Sequence, residues 1–382
     1  MKFLASLLAL AATPSSAQIT AAPPASVAAV VSEGSTALIV RYRAAAALCR
    51  GAEQNVLLAE EPLPRLFRSA AGETESAWTV RLRYRVDRFG RPHRINRIAP
   101  GPAAADERDV PAAFAAWRFR PGRERSDCEI GFRAEPVSID RADADSLHRY
   151  LVLRRVLPDS SSDGGRAARR IQPSGRVCAD GSFASERSVA YPDWRAIGLP
   201  AGTFTFSRLR GDVKADGVPE NVRVIASSGN DEMNRQSVEA VNRSRFPGGA
   251  RHDCLFYYIG WRERPLEAPA QPAVSEFRDS EANCPSSPAW VRPPRFTHPP
   301  AFKARRIEGW AILRYDLSPA GAVIEPTVLA AEPASAFGEA ASIGLAAGVG
   351  GPSASGYRGC IERVEFRLPF QRSKSSQGKP GL

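Results

Sequence analysis

From Trp78 to Val86 the chain alternates strictly. Val80, Leu82, Tyr84 and Val86 fall on one side, and Thr79, Arg81, Arg83 and Arg85 on the other. A two-residue period predicts a half-buried strand, and Arg88-Phe89-Gly90 predicts the turn that ends it. Residues 309–321 repeat the pattern at the same length, with Ala311, Leu313, Tyr315 and Leu317 on one side and a Ser318-Pro319-Ala320-Gly321 turn. A weaker alternation through Ser207, Leu209, Gly211 and Val213 leads to Ala215-Asp216-Gly217. A second short strand is expected after each turn, at residues 94–98, 221–226 and 322–329. Helices should follow at 110–117, 231–245 and 334–347. The middle helix is the clearest, with Met233, Ser237, Val238, Val241 and Ser244 at helical spacing behind the capping residues Ser228-Gly229-Asn230-Asp231. Arg120-Pro121-Gly122 and Phe246-Pro247-Gly248 end the first two helices, and third strands are expected at 128–134, 254–261 and 360–368.

Each third strand opens on a cysteine. The six cysteines, taken in order, form pairs Cys49/Cys128, Cys178/Cys254 and Cys284/Cys360, separated by 79, 76 and 76 positions. From each turn glycine to the next cysteine the chain runs 38, 37 and 39 positions. Such near-equal intervals suggest a unit that occurs three times. Six cysteines allow fifteen connectivities, so spacing alone leaves the pairing open. The recurrence of the second cysteine at the head of strand three favours three disulfides within the units. Zinc is the alternative, but no CxxC or CxxH cluster is present. The expected fold class is α+β: three tandem small modules, each a three-stranded antiparallel sheet with one helix on a face. Phe119, Phe246, Val241 and Tyr84 are expected in the module cores.

The chain's start points to export. Lys2, an apolar stretch over residues 3–12 and Ser15-Ser16-Ala17 have the layout of a signal peptide cleaved after Ala17. The apolar stretch is about half the roughly 20 residues that span a bilayer. The expected division is 1–17 signal peptide, 18–140 module one, 141–176 linker, 177–262 module two, 263–283 linker, 284–370 module three and 371–382 disordered tail. Residues 147–157 could add a strand to module one. The net charge of +11 comes almost wholly from arginine, so the high pI argues only weakly for nucleic acid. The periplasm is the expected compartment, where oxidation of the cysteines is plausible. No stable membrane span and no nucleic-acid partner are expected.

Enzyme chemistry finds little footing. His93, His148, His252 and His298 are scattered. The stretch from Gly351 to Ser355 departs from GxSxG at its last position, and residues 348–351 do not complete GxGxxG. Asp140, Asp143 and Asp145 lack the turn glycine and closing glutamate of a Ca²⁺ loop. The expectation is a protein that is not an enzyme, has no cofactor, and uses no catalytic or metal-binding residue.

The middle unit resembles the TonB C-terminal domain family. The resemblance rests on Tyr191-Pro192, the Ala215-Asp216-Gly217 turn, the strand at 221–226 ending in Ser227-Ser228-Gly229, and the helix-to-turn segment VEAVNRSRFPG at 238–248. Unit one keeps residues 87–90 and 115–122, and unit three keeps Pro299-Pro300-Ala301-Phe302 and residues 309–321. The resemblance implies a periplasmic, energy-transducer-type module that grips an extended peptide of an outer-membrane transporter, or of another envelope protein, by adding it to a sheet edge. The membrane anchor and long Pro/Lys-rich spacer that the family uses are not expected in this chain. The binding edge is expected on strand three of unit two: Leu255, Phe256, Tyr257, Tyr258, Ile259 and Trp261. Alternation should bury Phe256 and Tyr258 and leave Tyr257 and Trp261 outward. The alternative is a structural envelope protein that binds peptidoglycan or another anionic polymer through Arg-rich strand faces such as Arg81, Arg83 and Arg85.

Overall fold

The alternating segments do form strands, and the helical one a helix. The structure, a computed structural model, describes residues 36–69, 76–99, 101, 105, 107–158, 163–171, 190–246, 249–262 and 264–369. The expected signal peptide at 1–17, Cys178 and the tail at 371–382 lie outside the described residues. The fold is mixed α/β, with six α-helices and several small antiparallel sheets among the described residues. No helix there is long and apolar enough to cross a membrane.

Thr36–Ala44 (β1) and Arg65–Ser69 (β2) precede the hairpin of Trp78–Val86 (β3) and Pro92–Ala99 (β4). Asp109–Ala115 (α1), Arg125–Ser138 (β5), Ala144–Leu153 (α2) and Gly164–Ile171 (α3) follow. The middle stretch holds Phe204–Val213 (β6), Pro219–Ser227 (β7), Asp231–Arg243 (α4) and Arg251–Trp261 (β8). The last stretch holds Pro300–Ala304 (α5), Gly309–Leu317 (β9), Val323–Glu332 (β10), Ser335–Ala346 (α6) and Tyr357–Phe366 (β11).

In three places a strand pairs antiparallel with its two successors: β3 lies between β4 and β5, β6 between β7 and β8, and β9 between β10 and β11. The irregularities of these ladders fall at corresponding positions. The register between first and third strands shifts at Tyr84/Val86, Gly211/Val213 and Tyr315/Leu317. Left-handed backbone recurs at Arg94, Asn221 and Glu325, and again at Asp127, Asp253 and Gly359, one residue before each second cysteine. Bulges of this kind bend and twist a strand locally, so the three ladders bend at corresponding positions. The turns agree as well. Gly90, Gly217 and Gly321 have φ of 80°, 84° and 85°. A Cβ on any of them would run into the backbone carbonyl of Phe119, Phe246 or Gly350. The N–H groups of those three residues donate to the glycine carbonyls at 2.8, 3.0 and 2.7 Å. Only glycine satisfies both the conformation and the approach.

Three features depart from expectation. The first sheet has seven strands, because β5 is not an edge: its far side pairs with β1, from Leu38↔Ser138 to Ala44↔Phe132. The run Ala37, Leu38, Ile39 and Val40 is buried on both faces, as suits an interior strand. Residues 147–157 add no strand, and 141–176 is not a bare linker, since α2 and α3 lie there. Asp143 caps α2, its Oδ1 accepting from the Ser146 N–H at 2.8 Å. Leu147 and Tyr150, three apart on α2, pack with Ile39, Leu66, Ala167 and Ile171 in a small core of their own. The segment at 264–283 is also tied down. Trp310 Nε1 donates to the Pro269 carbonyl at 2.9 Å, and Leu266 bridges to Ile307.

The middle sheet has a separate core of Leu209, Val213, Met233, Val241, Phe246 and Phe256. A larger one is shared by all three sheets: Tyr84, Phe114, Phe119 and Phe132 continue to Phe302, Phe337 and Phe366, and Phe204 and Phe206 join from the middle sheet. Phe119, Phe246, Val241 and Tyr84 are all buried, as their periodicity required. Where the three stretches meet sits a fully buried guanidinium. Arg305 donates to both Asp109 oxygens at 2.7 and 2.6 Å and to Glu60 Oε1 at 2.8 Å. The same Glu60 oxygen accepts from the Phe204 N–H at 3.1 Å.

Candidate peptide-binding edge

Strand β8 is built by alternation. Cys254, Phe256, Tyr258 and Gly260 are buried, while Leu255, Tyr257 and Ile259 are intermediate and Trp261 is exposed. Phe256 packs tilted against Phe246 with centroids 5.2 Å apart, and the Tyr258 hydroxyl donates to the Ala190 carbonyl at 2.9 Å. Tyr191, from the Tyr-Pro lead-in, meets the Tyr258 ring edge-on at 6.4 Å. Gly260 must lack a Cβ because the Trp194 ring lies on it, 2.8 Å from where that atom would be.

The opposite side is less open than alternation alone implies. Trp261 is 49% exposed. Tyr257 is half-buried, with the Arg155 guanidinium 4.8 Å from its ring centre. The cover comes from α2 and the turn after it, which the sequence pattern did not reveal as a helix. Arg149 of α2 lies 5.3 Å from the Phe206 ring and donates to the Ser227 carbonyl at 3.0 Å. His148, buried against the same sheet, has its pKa pushed down to about 4 by burial and then by Arg208 and Arg210. Burial, and then Arg155, brings Arg208 down to about 10.

The backbone of β8 has a definite polarity. The Phe206 N–H donates to Ser228 Oγ at 3.2 Å, and its carbonyl accepts from the Ser228 N–H at 3.1 Å, so Phe206 turns its peptide groups toward β7. Thr205 and Ser207 therefore turn theirs toward β8, where they face Gly260 and Tyr258. It follows that Tyr257, Ile259 and Trp261 direct their N–H and C=O groups to the side of β8 away from β6. The first sheet shows what can sit there. Counted from their cysteines, Arg133 and Glu135 correspond to Ile259 and Trp261, and β1 pairs with them through Arg43↔Arg133 and Arg41↔Glu135. The next bond along, Ala45 N–H to Gly131 carbonyl, is 2.8 Å.

In the first sheet a disulfide ties the added chain to β5. Cys49–Cys128 joins directly opposed residues with Cα atoms 3.9 Å apart, and Cys284–Cys360 spans 5.0 Å. Cys254 is also disulfide-bonded, and its expected partner Cys178 lies outside the described residues. Beside the last bridge, Asn283 Oδ1 accepts from the Arg358 N–H at 2.6 Å.

The Arg-rich face of β3 is partly neutralised. Arg81 and Arg83 both donate to Glu129, at 2.6 and 3.2 Å, and the Arg83 bond leads the effects that lower the Glu129 pKa. The aspartates after β5 serve structure: Asp143 caps α2, Asp140 pairs with Arg166, and Asp145 lies 3.8 Å from Arg149. No protein-family model matches the chain, and no curated protein matches it.

Proposed function

We propose that the chain consists of three divergent copies of a strand–turn–strand–helix–strand unit of TonB C-terminal type. In this reading it is an exported, periplasmic, non-catalytic protein that takes up an extended peptide of an envelope partner, such as an outer-membrane transporter. The matching bulges, left-handed residues and glycine turns of the three sheets support the repeat. Peptide uptake by strand addition at β8 rests on one observation: the chain's own β1 is added antiparallel to β5 at the positions that correspond to Ile259 and Trp261. The partner would add to the Ile259–Trp261 end, where the indole of Trp261 offers a side-chain contact.

Binding of a panel of transporter-derived peptides to the full chain, read by fluorescence anisotropy, tests the proposal. Ile259→Pro removes an N–H directed away from β6 and should weaken binding at least about tenfold while the sheet stays folded. Unchanged binding by Ile259→Pro would remove β8 from consideration. Polymer binding has less to draw on, since two of the three arginines on the β3 face already share Glu129.

A further inference from the structure

The end of the first sheet, where β3 turns into β4, carries large apolar side chains that packing does not explain. Phe89 at the turn is 56% exposed, and Leu57 on the short strand Val56–Leu58 is 62% exposed. The backbone brings the two segments together. Val56–Leu58 pairs with Arg118–Phe119, the Phe119 N–H donates to the Gly90 carbonyl, and the Arg120 N–H donates to the Asn55 carbonyl. The Gly122 N–H closes the group on the Arg88 carbonyl at 3.0 Å.

Arginines surround this tip. Arg88 and Arg91 lie 4.7 and 5.5 Å from the Phe89 ring centre, Arg85 is exposed just before the turn, and Arg120 and Arg123 are exposed on the segment that bonds to Asn55 and Arg88. Asp87 is consumed by the Arg91 side chain and by the N–H groups of Phe89 and Arg91, which leaves Glu124 as the exposed carboxylate of the loop. Glu267, which also feels Arg91, is paired with Arg264. The turns at the same place in the other sheets, Ala215-Asp216 and Pro319-Ala320, carry no large apolar residue.

We propose that this tip docks on an anionic lipid surface. Phe89 and Leu57 enter the boundary between headgroups and acyl chains, and the arginines pair with lipid phosphates. Guanidinium binds phosphate in a bidentate fork, and basic residues gain attraction close to an anionic leaflet. A hydrated polyanion would satisfy the arginines but would give nothing to the exposed phenylalanine and leucine. A lipid surface satisfies both. The site is independent of β8 and does not depend on peptide binding there.

Sedimentation of the full chain with vesicles of phosphatidylglycerol in phosphatidylcholine tests this, with pure phosphatidylcholine for comparison. Binding is expected only with the anionic vesicles. It should fall at least about tenfold in Phe89→Ser/Leu57→Ser, and again in Arg88→Glu/Arg120→Glu/Arg123→Glu. Arg43→Ala, on the open sheet face, should leave it unchanged. In Phe89→Trp the added indole should shift its emission to the blue on vesicle binding. Equal binding to neutral vesicles overturns the proposal. So does anionic binding indifferent to Phe89 and Leu57, binding of Phe89→Trp without a spectral shift, or soluble polyphosphate bound as tightly with the same indifference. All substituted side chains are exposed, and circular dichroism checks that each variant is folded.

Discussion

Single residues carry different burdens in this fold. Phe246 lies just beyond α4, donates its N–H to the Gly217 carbonyl and packs tilted against Phe256 at 8% exposure. Phe246→Ala should therefore cost about 3–5 kcal/mol in chemical denaturation, and a loss below about 1 kcal/mol would mean that the site refills or lies open. His148 makes its contribution through pH. Its folded pKa of about 4 lies below the ordinary value of 6.5, so the unfolded chain binds the proton more tightly. The stability tied to neutral His148 is present above about pH 6.5 and is lost as pH falls toward 4. Melting temperatures of the wild type should drop more steeply across that window than those of His148→Leu. Parallel curves would show that the imidazole is not held neutral by this interface.

Among the elements, those whose pattern stood out in the sequence formed where it placed them. β9 spans residues 309–317 as expected, and α4 starts at Asp231 behind the Asn230 cap, whose Oδ1 accepts from the Met233 N–H at 2.8 Å. The roles of β1 and α2 were less legible, because both depend on distant partners. β1 is an apolar run whose meaning comes only from the free side of β5. Leu147 and Tyr150 fit a helix as well as a short strand until Ile39 and Leu66 cover them. The missing helix is also why Tyr257 looks outward in the sequence but is half-buried in the fold. Cys49–Cys128 ties β1's continuation to β5 across a 79-residue interval. In the chain-entropy picture a loop of that length is worth about 4 kcal/mol. Cys49→Ser/Cys128→Ser should thus cost about 2–5 kcal/mol and speed amide exchange in residues 36–44 more than in β9. Exchange that quickens equally everywhere would mean that the bridge stabilises the whole fold rather than this edge.

At the scale of the molecule, the question is whether the three sheets behave as beads or as one body. A bead-like chain would keep its cores separate, yet the larger core takes residues from all three sheets, Phe204 and Phe206 of the middle one included, and Arg305 sits between all three stretches. Its guanidinium is fully buried, and its partners come from α1, from the loop before β2 and, through Glu60, from the head of β6. Asp109 is also occupied by the Leu63 N–H at 2.6 Å. Burial raises the Glu60 pKa, with Arg305 opposing, so the carboxylate depends on the guanidinium to stay ionised. Removing the cation alone leaves two acidic groups buried without it, a change that costs about 3–5 kcal/mol where it has been a buried pair. Arg305→Met should show that loss, and it should also uncouple the sheets. The wild type is expected to melt in one calorimetric transition with matching van't Hoff and calorimetric enthalpies, and Arg305→Met in two or more. Adding Asp109→Asn and Glu60→Gln should recover part of the stability, since neutral groups are cheaper to bury. If Arg305→Met lowers the midpoint but keeps a single transition, the shared aromatic core unites the sheets and the ion cluster only adds to it.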